Sequence, residues 1–72
     1  MDVPIETIAE ILKILADTNR LRIIKALTPD CQSVSAIVAA TEMSQPLVAH
    51  HLGVLRRCGL ARTERRGAYT YY

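Results

Sequence analysis

Long apolar runs and secretory features are missing from this chain of 72 residues. Half of its residues are hydrophobic, yet no apolar run approaches the roughly 18 residues that a membrane-spanning helix needs. The N-terminal segment MDVPIETIAE is acidic, whereas a signal peptide begins with basic residues. These absences predict a cytoplasmic protein with no membrane partner.

Cysteine is scarce, because the chain has only Cys31 and Cys58, too few for the disulfide framework of a small secreted domain. Cys58 falls among apolar residues at helical spacing and is predicted to be a small core residue. Cys31 follows Pro29 and Asp30 in a predicted loop. We expect either an incidental surface thiol there or, as the alternative, a thiol sensor.

The motifs that mark enzymes and cofactor sites are also missing. The sequence has no glycine-rich phosphate loop, no carboxylate pair placed for a cleft and no cysteine and histidine spaced for nucleophile activation. His50 and His51 are adjacent, diverge on a helix and have no second pair of ligands nearby. We therefore expect no enzyme, no cofactor and no metal site.

The charge is small in sum but unevenly distributed. The net charge is +2, and residues 53–72 hold five arginines against one glutamate, whereas residues 1–30 hold four basic and five acidic residues. A basic C-terminal third indicates contact with phosphate, although each single arginine has solvated surface charge as its alternative. The length allows one domain, residues 1–72, and so short a chain buries little surface alone, which favours a partner subunit.

Apolar periodicity and capping residues predict four helices followed by a β-hairpin. The helices are expected at residues 5–16, about 19–27, 33 or 34 to about 40, and 44–58. Candidate N-caps are Asp17 or Thr18, Ser33 and Ser44, and Gly59 ends the fourth helix. Two strand-like runs follow, LARTE at 60–64 and AYTYY at 68–72.

The residues between those runs, Arg65, Arg66 and Gly67, predict a turn with an arginine-loaded tip. A brief helix, a short turn, a longer amphipathic helix and a hairpin together form a winged helix-turn-helix. The predicted fold class is mainly α, with four helices and a two-stranded wing.

The first helix is more apolar than one core contact requires. Its polar residues cluster within about 60°, while its apolar residues spread over roughly 220°. We predict that a second copy of the chain covers the surplus, Ile11 and Ile14 especially; the alternative is a helix sunk into its own domain. The candidate dimer-interface residues are Ile5, Ile8, Ile11, Leu12, Ile14 and Leu15.

The segment SQPLVAHHLGVLRRCGL, residues 44–60, divides into two faces at about 100° per residue. The face that we expect to be buried holds Leu47, Val48, His51, Leu52, Val54, Leu55 and Cys58. The outward face holds Gln45, Pro46, Ala49, His50, Gly53, Arg56 and Arg57. Small residues at its centre and polar or cationic ones at its flanks fit a DNA major groove, so double-stranded DNA is the expected partner.

This segment, together with LKILADTNRLRIIKAL at 12–27 and GAYTYY at 67–72, resembles the ArsR family of bacterial metal- and stress-sensing repressors. The resemblance covers nearly the whole chain and implies a homodimer that represses transcription by reading a palindromic operator. It also implies DNA contacts from the early outward positions of the fourth helix and from the wing. The candidate DNA-binding residues are Ser44, Gln45, Ala49, His50, Arg56, Arg57, Arg65 and Arg66.

The chain departs from the family where metals bind. Arsenic-sensing members have a Cys-x-Cys pair where this chain has Ser33, Val34 and Ser35, and hydroxyls do not replace thiolates for a soft metalloid. Other members bind metals through a fifth helix, and this sequence ends at Tyr72. We expect a truncated chain or a short member that dimerises through its first helix alone. The alternative function is a winged-helix module that binds protein instead of DNA.

Overall fold

The structure, a computed structural model, describes residues 3–72, so Met1 and Asp2 of the predicted domain lie outside it. The elements in chain order are α1 (Ile5–Leu15), α2 (Thr18–Leu27), α3 (Val34–Thr41), α4 (Gln45–Arg57), β1 (Glu64–Arg66) and β2 (Tyr69–Tyr71). The predicted four helices and two-stranded hairpin are confirmed. No helix within residues 3–72 is long and apolar enough to cross a membrane.

Three polar side chains determine where helices begin. The Asp17 carboxylate accepts hydrogen bonds from two backbone N–H groups in the first turn of α2. The hydroxyl oxygens of Ser33 and Ser44 each accept one such bond at the starts of α3 and α4. Each cap satisfies N–H groups that have no partner inside the helix. The predicted caps are confirmed, with Asp17 and not Thr18 at the start of α2.

The end of α4 explains why the hairpin starts later than predicted. Gly59 takes φ 75°, the left-handed conformation that favours glycine, and its N–H bonds to the carbonyl of Arg56 at 3.1 Å. The N–H groups of Leu60 and Ala61 both bond to the carbonyl of Leu55, at 2.9 and 3.2 Å. Because these donors close the helix, they do not enter a strand ladder. The predicted strand over 60–64 is therefore wrong for its first four residues.

The core lies where α2, α3 and α4 meet. Its buried hydrophobic residues are Ile23, Ile37, Met43, Val48, Leu52 and Leu55. Two residues that we predicted on the buried face of the fourth helix are exposed instead, Cys58 and Leu47. Cys58 is the C-cap, where the chain leaves the helix, and Leu47 lies in the first turn, so neither shares the environment of the central turns.

The hairpin carries a third paired segment that the sequence did not indicate. Backbone groups of Gln32 and Tyr72 exchange two hydrogen bonds of 3.0 and 2.8 Å, and Ser33 forms an isolated antiparallel bridge with Tyr71. The segment before α3 thus lies along the outer side of β2. Since Ser33 is also the N-cap of α3, the wing is joined directly to the helix-turn-helix.

No residue of α1 is fully buried. Ile5, Ile8 and Leu12 are 79, 45 and 60% exposed, whereas Ile14 packs against the core. The expected surplus of apolar surface is present, but its most exposed part is Ile5, Ile8 and Leu12. Ile11 and Ile14, on which we placed the emphasis, are half-buried, and Ile14 faces the body of the molecule.

A buried polar contact ties α4 to the other helices. His51 is 5% exposed, and its Nδ1 accepts a hydrogen bond from Nε of Arg20 at 3.2 Å. Nη1 of Arg20 also donates to the carbonyl of Ile14, at 3.1 Å. One guanidinium therefore connects the end of α1, the start of α2 and the middle of α4. The predicted placement of His51 in the core is confirmed.

Burial lowers the pKa of His51 below its ordinary value of 6.5, because an imidazolium there would lose water. The Asp17 carboxylate opposes this shift, whereas the charge of Arg20 lowers the pKa of His51 further. Protonation would also remove the Nδ1 lone pair that Arg20 uses. Burial and this hydrogen bond therefore both favour the neutral form of His51 in the folded state.

We predict that the free energy of unfolding falls as the pH drops below about 6.5, because the unfolded chain then takes up a proton that the folded chain resists. The fall is at most about 1.4 kcal/mol per pH unit for one proton, and it levels off below the folded pKa of His51. Backbone hydrogen bonds from Arg20 and Asn19 lower the pKa of Asp17 below 3.8. The contribution of Asp17 to the free energy of unfolding is therefore lost only as the pH falls below about 3.8, outside the range in which His51 titrates. Urea unfolding at a series of pH values, at one protein concentration, measures the slope.

His51→Asn keeps an acceptor near the Nδ1 position but does not titrate, so this part of the pH slope should disappear. His50→Asn, at an exposed position, is the matched control and should retain it. An unchanged slope in His51→Asn would mean that His51 does not cause the effect.

Candidate nucleic-acid interface

The face of α4 opposite the core is open to solvent. Val48, His51, Leu52 and Leu55 are the buried residues of this helix. All six candidate DNA-binding residues of the segment are exposed: Ser44, Gln45, Ala49, His50, Arg56 and Arg57. The predicted division of the helix into a buried and an outward face is thus confirmed in its central turns.

The first turn of α4 presents polar groups at the positive end of a helix. The Oγ atom of Ser44 accepts from the backbone N–H of Leu47 at 3.3 Å, which leaves its hydroxyl proton free to donate outward. Gln45 follows as the first helical residue and is exposed. A helix N-terminus favours nearby anions, and a glutamine amide pairs with adenine through two hydrogen bonds. This end of the helix therefore suits both a phosphate and a base edge.

Two small residues, Ala49 and Gly53, lie in the middle of the outward face. Ala49 is exposed and has only a methyl group to offer a base. At Gly53, an added Cβ would lie 3.2 Å from Nη1 of Arg57, so the guanidinium folds back over the glycine. Arg57 therefore places its charge beside the helix centre, within the surface that would face a groove.

The two wing arginines are not at the turn itself. Arg65 and Arg66 belong to β1 and pair with Thr70 and Tyr69, while Gly67 and Ala68 form the turn. The predicted arginine-loaded tip is corrected in this respect, because a two-residue turn needs only the glycine, with φ 61°, and its neighbour. Both arginines remain exposed.

Arg66 is held by its own hairpin. Its guanidinium donates to both carboxylate oxygens of Glu64, from Nε at 3.2 Å and from Nη2 at 3.1 Å. It also lies over the ring of Tyr71, 5.2 Å from the centroid. The hydrogen bond and charge of Glu64 raise the pKa of Arg66 above its usual range. We did not single out Glu64 from the sequence, although residues two apart on a strand share a face.

Cys31 is half-buried beside the wing. It lines an open pocket of about 570 Å³ with Leu27, Tyr71 and Tyr72 among its neighbours. Residues 3–72 contain no group of three or more histidine, cysteine or acidic side chains that could hold a metal ion. Ser33, at the position of the arsenic-binding motif, serves as a helix cap. A thiol-sensor role for Cys31 stays a prediction.

Comparison with known families identifies the chain. The family model "Bacterial regulatory protein, arsR family" matches residues 17–63, which include α2, α3 and α4. An uncharacterised HTH-type transcriptional regulator of Methanocaldococcus jannaschii is 32% identical over 68 residues, covering 93% of this chain and 76% of that protein.

Named repressors are also similar. A transcriptional repressor SmtB homolog of Synechocystis is 36% identical over 67 residues, covering 93% of this chain and 51% of its own. The arsenical resistance operon repressor of Escherichia coli is 34% identical over 64 residues, covering 88% of this chain and 55% of its own. The chain thus spans about half the length of these two repressors.

A solved structure shares the fold. The homodimeric winged helix-turn-helix DNA-binding domain of a candidate ArsR-family regulator from Mycobacterium bovis superimposes with a TM-score of 0.86 at 32% identity. The match covers 94% of this chain and 63% of that one. The exposed outward face of α4, the basic wing and these relatives agree: the chain belongs to the ArsR family and is a DNA-binding winged helix-turn-helix transcriptional regulator, not an enzyme.

Proposed function

We propose that this protein is a homodimeric repressor that reads a palindromic operator in the cytoplasm. The observation that carries the proposal is the two-sided character of α4, which has a buried inner stripe and an outward face of exposed polar, small and cationic residues. In this arrangement α4 lies in the major groove and the wing follows the neighbouring backbone. The repressor relatives from Synechocystis and E. coli support the direction of the regulation.

Within α4, the proposed roles follow from position. Gln45 and His50 contact base edges, because both are exposed and carry hydrogen-bonding groups. Ala49 contacts a thymine methyl group, and Ser44 donates its hydroxyl proton to a phosphate. Arg56 adds a phosphate contact at the end of the helix, and Arg57 adds one beside Gly53, over which its guanidinium is folded. Both charges increase affinity independently of sequence.

In the wing, Arg65 is the primary phosphate contact. It has no carboxylate partner within residues 3–72, where the only ion pair joins Arg66 to Glu64. Its cross-strand neighbour is Thr70, on the opposite face of the hairpin from Glu64 and Arg66. Arg65 therefore meets a phosphate without first breaking a contact.

Dimerisation uses the exposed apolar face of α1. Ile5, Ile8 and Leu12 lie on this helix and contact too little of their own chain to be buried. A second copy of the same helix would cover them, and the M. bovis neighbour is a homodimeric domain. Ile11, Ile14 and Leu15 are half-buried, and their remaining exposed surface would add to this interface.

Base reading by Gln45 is testable against backbone contact by Arg65. Gln45→Ala should lower the discrimination at one base pair by about 1–3 kcal/mol while leaving affinity for random DNA nearly unchanged. Arg65→Ala should weaken selected and random duplexes equally and reduce the salt slope by about one. Fluorescence anisotropy with a duplex selected from a random library, and with a random duplex of the same length, at several KCl concentrations, measures both.

The assignment of roles is wrong if the two variants change selected and random DNA in the same way. If the unmodified protein shows no preference for the selected duplex, sequence-specific recognition itself is refuted.

Dimerisation through α1 is testable with a buried charge. Leu12→Glu should shift the protein to monomer, since a carboxylate would lose water in an apolar interface. Sedimentation velocity over a range of concentrations gives the association state. Lys13→Glu, which places a carboxylate on the polar face of the same helix, should leave the dimer intact. An unaltered dimer in Leu12→Glu would place the interface elsewhere.

A further inference from the structure

The hairpin has two chemically different faces. Because side chains alternate along a strand, Glu64 and Arg66 lie on one face with their cross-strand partners Tyr71 and Tyr69. Arg65 and Thr70 lie on the other face. Glu64 and Tyr71 also line the pocket beside Cys31, so the first face turns toward the body of the protein.

On that face, the positive charge of Arg66 is paired with the carboxylate of Glu64. Two hydrogen bonds from its guanidinium to Glu64 use the same paired geometry with which an arginine binds a phosphate. The side chains of Arg66 and Glu64 are 55 and 61% exposed, so a phosphate has access to the guanidinium from solvent. The carboxylate and a DNA phosphate would compete for the same donors.

The pair does not hold the hairpin together. Glu64 and Arg66 belong to one strand, two residues apart, so their ion pair makes no connection between β1 and β2. Three backbone-paired positions and the contact of Arg66 with Tyr71 provide that connection. An exposed ion pair also contributes little to stability. Loss of Glu64 should therefore leave the wing folded.

We propose that Glu64 limits the affinity of the wing for DNA by competing with phosphate for Arg66. The inference rests on the proposed DNA-binding function and adds a residue that opposes it. Arg65 contacts DNA directly, whereas Arg66 contributes only when it leaves Glu64. Arg66 is thus available to DNA only in part, and the affinity of the wing for DNA depends on the carboxylate of Glu64.

The test is a double-mutant cycle measured by fluorescence anisotropy with a random 24-base-pair duplex at fixed KCl. Glu64→Gln should raise affinity by about 1.5-fold to fivefold, the range that corresponds to an exposed ion pair. In an Arg66→Gln background the same change should give no gain in affinity, because the guanidinium for which Glu64 and phosphate compete is absent. Glu10→Gln removes the same charge from α1 and should leave affinity unchanged.

An equal gain in both backgrounds would show that Glu64 acts through its general charge and would overturn the proposal, as would the absence of any gain. Circular dichroism and the thermal midpoint of each variant verify folding, and Glu64→Ser provides a second removal of the carboxylate if Glu64→Gln is unstable. If the unmodified protein does not bind DNA, the proposed function fails and this inference fails with it. If the unmodified protein binds DNA and Glu64→Gln binds it with the same affinity, this inference alone is refuted.

Discussion

The packing of Val48, Leu52 and Leu55 against α2 and α3 is the contact on which the rest of the molecule depends. These side chains are fully buried and supply half of the six buried hydrophobic residues described in the core. Rotation of α4 about its axis would expose them, and the free energy of burying each is about 1.5–3 kcal/mol. The same rotation would bury Gln45 and His50, which are exposed and are the proposed base contacts. Stability and the proposed recognition of DNA therefore depend on one orientation of one helix.

The core is too small to bury the apolar side chains of α1. None of its residues is fully buried, yet Ile5, Ile8 and Leu12 would not be expected at a surface exposed only to water. The Arg20 guanidinium connects the end of this helix to His51 on α4. A half-buried charge that is hydrogen-bonded to a buried imidazole defines an arrangement more narrowly than apolar contacts alone. The position of the proposed dimer surface is thus linked to the orientation of α4, the proposed DNA-reading helix.

The helices could be predicted from the sequence because their signals are local. Asp17, Ser33 and Ser44 are polar residues directly ahead of periodic apolar segments, and the structure uses each as a cap. The start of the wing was harder to predict, because the N–H groups of Leu60 and Ala61 donate to the carbonyl of Leu55 in α4 and not to a neighbouring strand. The pairing of Gln32 with Tyr72 joins distant segments without any alternating apolar pattern. For the interface, it could be predicted which residues are exposed. The partner of Arg66 follows from strand alternation only when β1 is placed at Glu64–Arg66, and the predicted strand ended at residue 64.

Counting arginines overstates the charge that the wing offers to DNA. Arg65 and Arg66 are adjacent in sequence, but the alternation of the strand places them on opposite faces with different neighbours. Arg66 faces Glu64 and Tyr71, and its charge is balanced before any phosphate arrives. Within about 10 Å, the screening distance at 0.1 M salt, such a neighbour matters more than the net charge of the chain. The affinity of a small basic hairpin is therefore determined by which of its cations lack an internal partner.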